Sequence, residues 1–114
     1  MLATIAPTRH RAASLDIGVQ RLVGLVEVCL DGAVVEATVA GLCEALEALF
    51  AIGAAELEID CTELVEIDGF GLAVLLDAGR EARRAGGSIV LRYAQPPIVE
   101  QLLASGHVDL LPVA

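Results

Sequence analysis

The sequence predicts a single α/β domain with a mixed, mostly parallel sheet of four or five strands and three or four helices packed mainly on one face. Three observations carry this. Apolar runs alternate with helical periodicities in the order β-β-α-β-α-β-α, the strand–helix–strand units are about 30 residues long, and such units build parallel sheets through right-handed crossovers. The chain has 114 residues, enough for one domain. Its hydrophobic fraction of 56% rules out disorder, and with 3% aromatics and no Trp the core must be aliphatic.

Residues 1–13 read as a loose, flexible tail, with the folded domain from 14 to 114. Two β-rich stretches follow the tail, at about 14–19 and 22–30. The second, Leu22 to Leu30, is apolar apart from Glu27, as expected of a strand with little solvent contact. Asp31-Gly32 is a turn signal. From Val35 the period changes: Val35, Val39, Leu42, Leu46 and Leu49 lie on one helical face, and Gly53 is placed to stop that helix. Residues 56–61 alternate Leu57, Ile59 and Cys61 with Glu56, Glu58 and Asp60, which predicts a strand with one polar side. A short loop, TELVEIDGFG, leads to a second helix from about Gly71 to Ala85, with Leu72, Leu75, Leu76, Gly79 and Ala82 inward. Arg80, Arg83 and Arg84 gather near its C-terminus, where the helix dipole favours cations. Gly86-Gly87 ends it, and Ser88 to Tyr93 is a further apolar strand. Pro96-Pro97 opens a third helix with Ile98, Val99, Leu102 and Leu103 as its apolar stripe. The closing VDLLPV adds a short strand or helix.

Composition excludes several chemistries. The net charge of −9 repels nucleic-acid phosphates and anionic membrane surfaces, and scarce aromatics leave little for base stacking. All seven basic residues are Arg. Without Lys there is no Gly-Lys-Ser/Thr phosphate loop and no Schiff base. Cys29, Cys43 and Cys61 are widely spaced in apolar stretches, which predicts buried, reduced thiols and no zinc site. No stretch of about 18 apolar residues is free of charge, so no membrane insertion is expected. The N-terminus places its Arg residues after the apolar start, the reverse of a secretory signal, so the expected location is the cytoplasm.

The informative stretch runs from Leu57 to Leu111. An apolar strand ends in Asp60-Cys61-Thr62, then come Val65-Glu66-Ile67-Asp68-Gly69-Phe70-Gly71-Leu72 and an apolar helix. Gly86-Gly87, the strand Ile89-Val90-Leu91, Pro97 and Leu102-Leu103-Ala104-Ser105-Gly106 follow in order. This set resembles the STAS domain, the fold of bacterial anti-sigma-factor antagonists, over about 85 residues from Asp31-Gly32 onward. The resemblance implies a non-enzymatic protein that docks on an anti-sigma factor of the histidine-kinase-like ATPase fold, through Asp68, Gly69, Phe70, Gly71 and Leu72. In the family the residue after the loop aspartate is usually a Ser or Thr that the partner kinase phosphorylates. Here it is Gly69, which has no hydroxyl, so a phospho-switch at that position is chemically impossible. The acidic residue common in the family's earlier turn is also displaced: its place is taken by Val35, with Glu36 alongside. Thr62 is the one hydroxyl close to the loop and so the remaining candidate for modification.

Two other partnerships follow from the same resemblance: a small subunit docking on the ATPase of a lipid-transporting ABC system, which needs no phosphorylation, and a nucleotide or small-ligand sensor. Asp68 also suits a helix cap and Gly69 and Gly71 a tight turn, roles compatible with docking. Asp60 and Asp68 are conceivable as an acid–base pair, and Asp60 as a phosphoacceptor, but a receiver's acidic pair and Lys are missing. Asp68-Gly69-Phe70 sits in too short a chain to be a kinase metal tripeptide. His10 lies in the tail and His107 at a helix end, neither in a nucleophile motif with Ser14, Ser88 or Ser105. No cofactor is expected.

Overall fold

The structure, a computed structural model, describes residues 13–106 and 112–113. Its elements are β1 (Leu15–Leu22), β2 (Leu25–Val34), α1 (Val39–Ala51), β3 (Glu56–Ile67), α2 (Gly69–Arg84), β4 (Ser88–Arg92) and α3 (Pro96–Ala104). The sheet order is β1-β2-β3-β4, with β1 antiparallel to β2 and the other pairs parallel. Val113 makes a parallel bridge to Leu91, a trace of the expected terminal strand.

The two-residue period of the strands decides the layering. Val26, Val28 and Leu30 of β2, Leu57, Ile59 and Cys61 of β3, and Ile89 and Leu91 of β4 are buried. They form one core with Leu42, Leu46 and Leu49 of α1, Leu75, Leu76, Ala78 and Ala82 of α2, and Ile98 and Leu102 of α3. The alternate residues face away from the helices and are largely acidic: Glu27, Asp31, Glu56, Glu58 and Asp60. Arg92 bridges Glu58 across strands at 3.2 Å.

Several boundaries differ from those read in the sequence. Asp31-Gly32 does not turn the chain; it lies within β2. Gly32 (φ 125°) sits where the β2–β3 register shifts, and a Cβ there would meet the Ser14 carbonyl. An Asp-Gly pair signals positive φ, which a bulge uses as readily as a turn. The hairpin turn is at Val23-Gly24, with Gly24 at φ 82°. α1 begins at Val39 because Thr38 organises a preceding turn: its hydroxyl takes the Val35 N–H at 3.0 Å and donates to the Ala33 carbonyl at 2.7 Å. β3 runs on through Ile67 instead of yielding to a loop after Cys61. Beyond Cys61 its buried residues are Leu64 and Ile67, a three-residue step that follows the register shifts and hides the strand from an alternation test.

The thiols are unlike one another. Cys61 is buried, and that burial pushes its pKa up to about 12, whereas Cys43 is half-buried and Cys29 is exposed on the open sheet face. The expectation that all three are buried fails for Cys29 because its strand has a solvent side. Residues 1–12 of the expected tail, with His10, and residues 107–111, with His107, lie outside the described residues.

Candidate functional site

The stretch from Asp68 to Leu72 lies where β3 passes into α2. Asp68 is the N-cap, with extended backbone (φ −110°, ψ −174°), and its Oδ1 accepts the Gly71 N–H at 2.8 Å. The helix therefore starts at Gly69, not near Gly71 as the sequence suggested. Oδ2 accepts the Glu36 N–H at 2.9 Å from the turn before α1. The Asp68 N–H donates to the Val34 carbonyl at 3.1 Å. One residue thus joins the end of β2, the β2–α1 turn and the first turn of α2. Gly71's N–H holds the Asp68 carboxyl below its ordinary value of 3.8, against some desolvation and with help from the N–H groups of Glu36 and Phe70.

The five residues separate by role. Gly71 is buried against β2: an added Cβ would run into the Val34 carbonyl oxygen and lie 2.7 Å from Val34 Cγ1. Leu72 is half-buried and packs on the core, a lesser share than the inward position expected of it. Gly69 and Phe70 point outward. Nothing lies within 4 Å of a Cβ at Gly69, and Phe70 is 56% exposed. The outcome is a fixed helix start carrying a bare position and a solvent-facing ring.

Thr62 is not brought to this stretch. It lies six residues earlier on β3, roughly 20 Å away along an extended strand. Its hydroxyl donates to Asp60 Oδ1 at 2.6 Å and its N–H to the same oxygen at 2.9 Å. Asp60 is eight residues from Asp68, roughly 25 Å along the strand, too far for a shared proton. Among the described residues no group of three His, Cys, Asp or Glu side chains is placed to hold a metal, and no helix is long and apolar enough to cross a membrane.

Sequence reasoning missed three neighbours of the stretch. The Glu36 main chain is a partner of Asp68, although the residue's place in the turn was noticed. Gln101 Nε2 donates to the Ile67 carbonyl at 2.7 Å, tying α3 to the end of β3, and no local pattern marks a contact across 34 residues. Val65, 74% exposed near the end of β3, adds a second exposed apolar side chain three residues before Asp68. The sequence reading placed it in a loop, which gave no sign of a strand residue facing water.

A family model described as "Mlab, STAS domain" matches residues 17–112. The chain belongs to the STAS domain family. Among solved structures, this STAS domain is similar to an anti-sigma factor antagonist from Mycobacterium paratuberculosis, with 22% identity, TM-score 0.76, and 88% of this chain and 85% of that one covered. It is also similar to the anti-sigma factor antagonist SpoIIAA in its unphosphorylated form, with 18% identity, TM-score 0.63, and 81% and 82% covered. The phosphorylated form of SpoIIAA from Bacillus gives 18% identity, TM-score 0.66, and 90% and 91% covered. No curated protein matches the sequence. At these identities the neighbours establish the fold.

The doubly used carboxylate gives the STAS domain a testable pH signature. Asp68→Ala is expected to lower the thermal midpoint by roughly 5 °C near neutral pH through loss of the cap. Because Asp68's folded pKa is depressed, its contribution is complete above the unfolded value and is lost as pH falls through the folded one. The gap between wild type and variant should therefore close below about pH 3.8. Thermal melts followed by circular dichroism from pH 7 to about pH 2.5 check this, and a constant gap would contradict it.

Proposed function

We propose that this STAS domain acts by docking on a partner protein and catalyses no reaction, as an anti-sigma-factor antagonist type of regulator that lacks the usual phosphorylatable residue. The partner is an anti-sigma factor of the histidine-kinase-like ATPase fold, met in the cytoplasm through Asp68, Gly69, Phe70, Gly71 and Leu72, without nucleic acid and without insertion into a membrane. The observation that carries this is the exposed Gly69-Phe70 pair on a helix start pinned by Asp68. An aromatic ring on a rigid start is a suitable anchor, because little conformational entropy remains to be lost on binding. With Gly at 69 the surface stays in its uncharged state, so binding is constitutive or controlled by another input.

Gly69 supports a second reading equally. A small STAS subunit that docks on the ATPase of a lipid-transporting ABC system requires no acceptor hydroxyl. Affinity capture of the tagged protein from its source lysate, identified by mass spectrometry and repeated with purified partners, tests both. Recovery of a histidine-kinase-like anti-sigma factor supports the first reading, and recovery of an ABC ATPase supports the second. Phosphate transfer from ATP and a partner kinase onto residues 68–72 would overturn the account of Gly69.

A further inference from the structure

The C-terminal part of α1 and the middle of α2 leave a surface groove of about 500 Å³ between them. Its floor is apolar, formed by Leu46 and Phe50 of α1 and by Val74 and Ala78 of α2. Its rim is acidic, with Glu47 on one side and Asp77 and Glu81 on the other, and no basic side chain lines it. The groove is centred near Ala78, about 10 Å along α2 from Gly71, and its near end, Val74, lies one helical turn beyond Phe70.

Charge identifies the occupant. Among the described residues, Asp77 and Glu81 are engaged through i, i+3 pairs with Arg80 and Arg84, at 3.1 and 2.8 Å. Both pairs are well exposed, and exposed pairs contribute little, so an incoming cation can replace the Arg at small cost. Among the described residues, Glu47 accepts from the Cys43 thiol at 3.6 Å. Anionic lipid and nucleotide are disfavoured on the same grounds.

We propose that this groove docks a helix of a partner protein, one that presents a large apolar side chain flanked one turn away on each side by Arg or Lys. The apolar side chain fills the floor between Phe50 and Val74, and the cations reach Glu47 on one rim and Asp77 and Glu81 on the other. The inference does not depend on which protein the Asp68 loop binds. Loss of binding at the loop and loss at the groove are separable by where each maps.

The test titrates the full-length ¹⁵N-labelled protein at low salt with a helical peptide of roughly 18 residues carrying one Leu anchor flanked by Arg. A control peptide replaces each Arg with Glu. Amide shifts are expected at Glu47, Phe50, Val74, Asp77 and Glu81, with binding of the control weaker by at least about tenfold. The double variant Glu47→Lys, Asp77→Lys should reverse the preference between the peptides, since both positions are exposed and a thermal melt verifies folding. If that variant does not fold, Ala51→Lys, an exposed lining position, should weaken the Arg peptide alone. Equal affinity for both peptides, shifts centred on Asp68 or on the open sheet face, or a concentration-dependent dimer that protects the groove would each overturn the proposal.

Discussion

Gly71→Ala is expected to lower the midpoint of thermal unfolding by about 10 °C or more, the largest effect of any single methyl group added near the candidate site. The reason is local. Gly71 touches β2, and the new Cβ would overlap the Val34 carbonyl oxygen, a backbone atom that cannot rotate aside. Either α2 lifts from the sheet or β2 shifts, and both disturb Val34, which is fully buried. The bonds from Asp68 to the Val34 carbonyl and the Glu36 N–H, which tie the start of α2 to β2 and the β2–α1 turn, stretch with either movement. Overpacking of this kind typically costs about 1–3 kcal/mol. The control is the same change two residues earlier. Gly69→Ala meets nothing within 4 Å and has no positive φ, so it should leave the midpoint unchanged or raise it slightly by restricting the unfolded chain. Circular-dichroism melts of both variants decide the matter. Equal loss in the two would mean that the helix start tolerates no side chain at all, and that Gly69 is structural.

Gly69→Arg is expected to reduce partner affinity by about 100-fold while leaving the melt within a few degrees of wild type. At 69 a long cationic side chain has open space in the isolated domain, and it would clash with the partner proposed to dock there. Phe70→Ala should produce a smaller loss, about tenfold, by removing an exposed anchor that contributes little to the core. Gly69→Ser should bind almost as wild type until a partner kinase and ATP are added, and should then release as roughly two negative charges arrive beside Asp68. Isothermal titration calorimetry against the captured partner, alongside melts, reads all three. If Gly69→Arg binds normally, the partner does not approach the start of α2, and the docking surface lies elsewhere on the domain.

Much of this architecture was legible because the strands and helices obey their own periods. Leu57, Ile59 and Cys61 alternate and are all buried, and Leu75, Ala82, Ile98 and Leu102 lie on the core side of their helices. The five-residue stretch from Asp68 to Leu72 was legible as a unit through its order and spacing. Its internal division was not. Gly69 and Gly71 are the same residue type two positions apart, and only the proximity of Val34, distant in sequence, makes one indispensable and the other free. The second half of β3 was illegible because the bulge near Gly32 changes the burial step from two residues to three. The groove between α1 and α2 was illegible because its rims come from helices far apart in the chain.

The emptiness around Gly69 has an implication for descent. Because Asp68 and Gly71 hold the helix start between them, position 69 owes nothing to the architecture and can change without repair elsewhere. A Gly codon of the GGT or GGC type becomes Ser by one base substitution. A hydroxyl can therefore be gained or lost at the exposed start of α2 in one step, with no intervening form that folds poorly. The chemistry displayed at position 69 is thus among the most readily altered features of the domain, while the shape of the loop that Asp68 and Gly71 hold is among the least.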